Sequence, residues 1–178
     1  MKKILLFFAI FSLLLLFIFL FKSKIYIISG EAELTNEQQN ELYNLALKAK
    51  DNGDLPISSL LIENNTIIGE GYNTVVSDSD ICGHAEINAL RNAINKIGIN
   101  RFMELDKSKL SLISTLEPCE MCKGVLLYYD IRNIIFLKDK SLFTSLRSNY
   151  AEFLYHLTKR KISSTELLNS LYKLHPDY

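Results

Sequence analysis

Eighteen residues near the start of the chain, Ile4 to Phe21, hold seventeen apolar side chains and one Ser, with Lys2 and Lys3 before them and Lys22 and Lys24 after. No other feature restricts the fold so tightly. A buried core helix is the bland reading, and a run apolar on every helical face with lysines at both ends fits it poorly. As a helix it rises about 27 Å, close to the hydrocarbon thickness of a bilayer, about 30 Å. Backbone polar groups in lipid must pair within their own segment, so a single N-terminal transmembrane helix is expected. The competing reading is a cleaved signal peptide, whose apolar region usually runs about 7–15 residues. The nearest small-x-small cleavage site, Ile28-Ser29-Gly30, starts with a bulky Ile, which favours an uncleaved anchor. Lysines flank the run equally, so positive charge does not orient it.

Of the 178 residues, 20 are Lys or Arg, 20 are Asp or Glu, and 48% are apolar. Outside the run the apolar fraction is about 43%, lean but sufficient for a folded domain. A net charge of zero argues against a nucleic-acid coat protein or an acidic disordered tail. Three cysteines leave one thiol over in any complete pairing, so a disulfide framework is not expected. The expected organisation is an anchor and flank over residues 1–30, a core over 31–137 and a mainly helical C-terminal part of the same domain over 138–178.

Thr35-Asn36-Glu37-Gln38 reads as a capping box that opens a helix to about Lys50. Ile57 to Ile62 and Thr66 to Tyr72 are β-rich and separated by Glu63-Asn64-Asn65, the pattern of a hairpin. A Ser- and Asp-rich loop, Asn73 to Gly83, precedes a helical stripe from His84 to Ile97. Leu110 to Leu116 reads as a strand, because Pro118 biases Glu117 to extended backbone and suits the start of the next helix, to about Tyr129. A further strand, Arg132 to Leu137, and a helical remainder from Ser141 to Leu174 complete the order α-β-β-α-β-α-β-α. That order predicts an α/β fold, a three-layer α/β/α sandwich around a mixed sheet.

Two stretches carry chemistry: Gly83-His84-Ala85-Glu86 and Glu117-Pro118-Cys119-Glu120-Met121-Cys122. Cys119 and Cys122, at i and i+3 of a helix start, present their sulfurs in one direction. The positive end of the helix dipole favours thiolates there. With His84 they form a ligand set for zinc, and three protein ligands are the count of a catalytic rather than a structural site. Such a zinc lowers the pKa of bound water from 15.7 to about 7. Glu86 cannot share a helical face with His84, yet it can sit beside the metal and move a proton. H-x-E followed by P-C-x-x-C is the pattern of zinc deaminases, in which Glu is acid and base and not a ligand. A thiol redox pair is the alternative for the two cysteines, but it leaves H-x-E without a role. Cys82 is read as a loop thiol, since a fourth protein ligand would close the site to water.

These residues resemble the cytidine deaminase superfamily, nearest its branch of tRNA adenosine deaminases and bacterial guanine deaminases. The resemblance runs from about Thr35 to Leu137 and is densest at HAEINALRNA and TLEPCEMCKGVLL. It implies that His84, Cys119 and Cys122 hold one Zn2+ per chain and that Glu86 is the proton shuttle. It also implies that Asn73, at the end of GEGYN, contacts the base or its sugar, and that the backbone N–H of Ala85 helps to position it. A turn after a strand is the other reading of Asn73. The implied activity is zinc-dependent hydrolytic deamination of a nucleobase, a nucleoside or an adenosine in tRNA, releasing ammonia. A homodimer is implied as well. Ser79-Asp80-Ile81-Cys82-Gly83 departs from the Asp-Pro-Thr-Ala-like approach usual in the tRNA-editing branch, and the likeness fades after Leu137. A membrane helix is not a feature of the soluble members. Beyond residue 137 seven basic residues stand against four acidic ones, a surface for RNA, for anionic lipid or simply for solvent. A catalytically idle, membrane-anchored binding module is the alternative function, and four intact site residues argue against it. Zinc thiolates need reduced cysteines, which points to a cytoplasmic face for the domain.

Overall fold

The apolar run folds into a helix, α1 (Lys2–Phe21), in a computed structural model that describes residues 2–21 and 32–158. Side chains of α1 are described over residues 6–18, and among the described residues no helix is long and apolar enough to cross a membrane. The transmembrane span expected over residues 4–21 is therefore not found among them. Both ends of the expected span, with Lys22 and Lys24, lie outside the residues whose side chains are described.

Thr35 starts the next helix, α2 (Asn36–Asp51), through the expected capping box. Its Oγ1 accepts from the Gln38 N–H at 3.2 Å, and Gln38 Oε1 accepts from the Thr35 N–H at 3.0 Å. Strands β1 (Ser58–Glu63) and β2 (Thr66–Tyr72) pair antiparallel, with Glu63 opposite Thr66. Asn64 and Asn65 close this hairpin at φ of 47° and 69°, the left-handed conformation that a two-residue loop requires and asparagine tolerates. There follow α3 (Ala85–Ile97), α4 (Ile99–Glu104), β3 (Leu110–Leu116), α5 (Glu120–Tyr128) and β4 (Asn133–Lys138). The sheet order is β2-β1-β3-β4, with β1 antiparallel to both neighbours and β3 parallel to β4. A mixed sheet was expected, and a mixed sheet is present.

Alternation along the strands builds two apolar layers. Leu60, Ile62 and Ile113 pack with Leu42 and Leu45 of α2 on one face. Leu61, Leu110 and Leu112 pack with Leu90 and Ala93 of α3 and Leu126 of α5 on the other. Helix α4 was not anticipated. It contributes Phe102, fully buried and edge-on to Tyr129 at 5.9 Å. Lys107 closes its C-terminal end, donating to the carbonyls of Phe102, Met103 and Leu105.

Helix α3 lies directly on β2. A Cβ at Gly71 would sit 2.2 Å from both Ala85 O and Ala89 N, and one at Gly69 would sit 2.3 Å from Ala89 O. Only glycine permits two backbones to approach so closely. Strand β2 is an edge strand, and asparagines one turn apart on α3 take up its free groups. Glu70 N–H donates to Asn92 Oδ1 at 3.1 Å, and Asn88 Nδ2 donates to Tyr72 O at 2.9 Å. An edge satisfied in this way is closed to further pairing at those positions. The same bonds fix where α3 begins, and hence where His84 stands.

The chain divides into two compact units, Tyr26–Leu142 and the terminal segments Met1–Ile25 with Phe143–Tyr178. The helical remainder expected from Ser141 to Leu174 is found as α6 (Leu142–Thr158); its expected continuation lies outside the described residues.

Candidate metal centre

His84 is the N-cap of α3 and Cys119 the N-cap of α5, both in extended backbone conformation. An N-cap side chain ordinarily accepts from the first helical turn. Neither of these makes such a bond, so both are available to a ligand. Cys122 lies three residues into α5 and is fully buried. The three donor atoms form a near-equilateral triangle. His84 Nδ1 is 3.5 Å from each sulfur, and the sulfurs are 3.6 Å apart.

This triangle fits zinc. For Zn–S of about 2.3 Å and Zn–N of about 2.05 Å, a tetrahedral ion holds two sulfurs about 3.8 Å apart and sulfur and nitrogen about 3.6 Å apart. The observed edges match within about 0.2 Å, the tolerance a metal site allows. Among the described residues the donors of His84, Cys119 and Cys122 all lie within 4.8 Å of one another, and Cys82 is not in the group. Cys82 instead belongs to the loop: its N–H donates to Asp80 Oδ1 at 2.8 Å, and its carbonyl accepts from the His84 N–H at 2.8 Å.

The electrostatics favour a cation. The hydrogen bond shared with Cys122 is the main reason the Cys119 thiol is drawn down to about 5, with the nearby His84 helping. Cys122 is pushed up by the same hydrogen bond and then by burial. Two sulfurs and an imidazole nitrogen within 3.6 Å of one another form a donor set that a divalent ion can occupy as the thiols give up their protons. Glu86 is buried beside them, and its carboxyl is held above the ordinary carboxylate range, first by burial and then by the charge of Cys119.

Asn73 ends β2 in a turn: its Oδ1 accepts from the Val75 N–H at 3.2 Å. Its N–H donates to Ile57 O at 3.0 Å, and the adjacent Thr74 N–H donates to Gly83 O at 2.8 Å, which brings Asn73 alongside the approach to His84. Ala85 is fully buried and, as the first residue of α3, has no intrahelical acceptor for its N–H. Sequence reasoning missed Asn88, whose Nδ2 also reaches Thr74 Oγ1 at 3.0 Å and Gly83 O at 3.3 Å. Asp54, which holds the loop from the other side, was missed too. A polar side chain one turn beyond His84 on the buried stripe was a usable signal for Asn88; nothing local marked Asp54.

Comparison with known proteins agrees with this geometry. Residues 35–138 match the family profile described as the cytidine and deoxycytidylate deaminase zinc-binding region. The tRNA-specific adenosine deaminase of Buchnera aphidicola subsp. Schizaphis graminum is 32% identical over 138 residues, covering 72% of this chain and 87% of that protein. The tRNA-specific adenosine deaminase of Haemophilus influenzae is 36% identical over 106 residues, 59% of this chain and 58% of that one. A solved structure from a study of A-to-I editing by tRNA:A34 deaminases superposes with a TM-score of 0.51 at 25% identity, over 57% of this chain and 75% of that chain. Guanine deaminase from Bacillus subtilis shares the fold, with a TM-score of 0.57 at 23% identity over 82% and 96%. With the profile running across more than half of its length and the ligand triangle in place, the chain belongs to the cytidine and deoxycytidylate deaminase zinc-binding family.

Proposed function

We propose that residues 35–138 catalyse hydrolytic deamination of an amine-bearing nucleobase ring, with an adenosine in tRNA as the first substrate to test. The observation that carries this reading is the convergence of His84, Cys119 and Cys122 on one triangle with the buried carboxyl of Glu86 beside it. Zinc bound there supplies a Lewis acid and a water activated near neutral pH. Glu86 takes the proton of the attacking water and hands it to the ring nitrogen. Its raised affinity for a proton suits a group that must both accept and release one. Water adds, ammonia leaves, and a ring carbonyl replaces the amine. Asn73 Nδ2 and the Ala85 N–H orient the ring.

The preference for tRNA is supported by the adenosine deaminases at 32% and 36% identity. Residues 4–21 anchor the chain in a membrane, a reading supported by their composition, and zinc's need for reduced thiolates supports a cytosolic side for the domain. Ammonia release from the full chain in detergent, measured with adenine, guanine, cytosine, their nucleosides and a tRNA anticodon stem-loop, tests the activity. Release from the stem-loop with about one zinc per chain is the expected result. No release from any member, with zinc bound, defeats the reading in favour of an idle binding module.

A further inference from the structure

We propose that Asp54 is a positioning residue that aims the amide of Asn73 at the substrate, acting through the backbone of residues 75–77. Its functional consequence rests on the deaminase reading above. The Asp54 side chain is buried, 6% exposed, and its partners, the N–H groups of Val76 and Ser77 and the Ser77 hydroxyl, belong to the loop that leads to His84. Oδ1 accepts from the Val76 N–H at 2.7 Å and Oδ2 from the Ser77 N–H at 3.2 Å. Asn73 Oδ1 takes the preceding N–H, that of Val75. Three consecutive N–H groups are thus held by side-chain oxygens, two of them from one carboxylate 22 and 23 residues earlier in the chain.

This arrangement leaves Asn73 little freedom. Its N–H is committed to Ile57 O and its Oδ1 to Val75. No hydrogen bond among the described residues uses its Nδ2. Nor is that atom sealed away, because the buried side-chain atom without a partner among the described residues belongs to Ser145. The plane of the Asn73 amide follows the Val75 N–H, and the position of Val75 follows the two residues that Asp54 holds. A carboxylate suits this task because two converging N–H donors need two acceptors. An amide at position 54 offers one oxygen and turns an N–H toward a donor, leaving a buried group unsatisfied. A carboxylate buried for packing alone would be costly, since an apolar side chain fills space without a desolvation penalty.

The test uses the full chain and the variants Asp54→Asn, Asn73→Ala and the double variant. Asp54→Asn is expected to keep one zinc per chain and to lower kcat/KM about tenfold, mainly through KM, the scale of one misaimed hydrogen bond. The double variant is expected to be no worse than Asn73→Ala alone, because the two residues act in series. Hydrogen exchange at Val75, Val76 and Ser77 is expected to quicken at least about tenfold in Asp54→Asn, while α3 and α5 keep their protection. Additive losses in the double variant overturn the proposal, as does unchanged exchange at 75–77, and so does full kcat/KM in Asn73→Ala. A wild-type chain that deaminates nothing overturns the deaminase reading, and the exchange measurement then decides by itself whether Asp54 holds the loop.

Discussion

Glu86 is two residues from His84 and outside the ligand set, and the proton shuttle proposed for it can be isolated by one substitution. Glu86→Gln keeps the volume and the buried hydrogen-bonding capacity but removes the ability to shuttle a proton. We expect zinc content to stay near one per chain while kcat falls about 10²- to 10⁴-fold, the usual range for general acid–base catalysis. Metal analysis beside steady-state rates checks this, and wild-type turnover in the variant removes the role assigned to Glu86. Asp54 gives a residue-scale pH dependence. Its carboxyl is held below the usual range, first by the Ser77 hydroxyl and then, against the opposing effect of burial, by the N–H groups of Val76 and Ser77. A depressed folded value stabilises above the unfolded value of about 3.9, and that stability is lost as pH falls through the folded value. The Tm difference between wild type and Asp54→Asn should therefore be steady above about pH 5 and shrink in more acid solution; a gap that widens on acidification contradicts the sign. The ligand triangle could be read from sequence because each of its motifs spans six residues or fewer. Asp54 could not, since its partners, at residues 76 and 77, lie beyond β1 and β2.

At the scale of elements, the site depends on how tightly α3 is seated on β2. Gly71→Ala would place a methyl group 2.2 Å from Ala85 O and Ala89 N, both backbone atoms, so relief requires α3 to move. Overpacking of this kind costs about 1–3 kcal/mol, and here the displaced segment carries His84 and Glu86. The variant should melt lower and hold zinc more weakly, read by Tm and by competition with a chromophoric chelator. Lower Tm with unchanged zinc affinity would separate the seating of α3 from the metal centre. The elements themselves differed in how visible they were. Strand β3 was found at Leu110 to Leu116 because Pro118 marks its end, and α2 was found because Thr35 and Gln38 cap it. Helix α4 escaped because six residues with one buried side chain, Phe102, leave no period to detect. The closeness of α3 to β2 escaped because glycine signals approach only once its neighbour is known.

At the scale of the molecule, the open matter is the medium in which the chain works. Zinc held by His84, Cys119 and Cys122 would tie the starts of α3 and α5 together inside the unit Tyr26–Leu142, and the chemistry proposed for that unit needs only reduced thiols and water. The apolar run makes a separate demand. Leu13 and Leu14 lie near its middle and are more than half exposed, so replacing them removes little packing. Each Arg at a helix centre opposes insertion by about 2.5–3.5 kcal/mol, so Leu13→Arg with Leu14→Arg should shift partitioning by about four powers of ten. After alkaline carbonate extraction the wild-type chain should stay with the membrane pellet and the double variant should be released. Because zinc binding depends on residues 84–122, the released variant should still carry about one zinc per chain. A wild-type chain recovered in the supernatant would show that residues 4–21 do not hold it in a bilayer; a variant that loses its zinc would show that α1 supports the fold as well as the membrane.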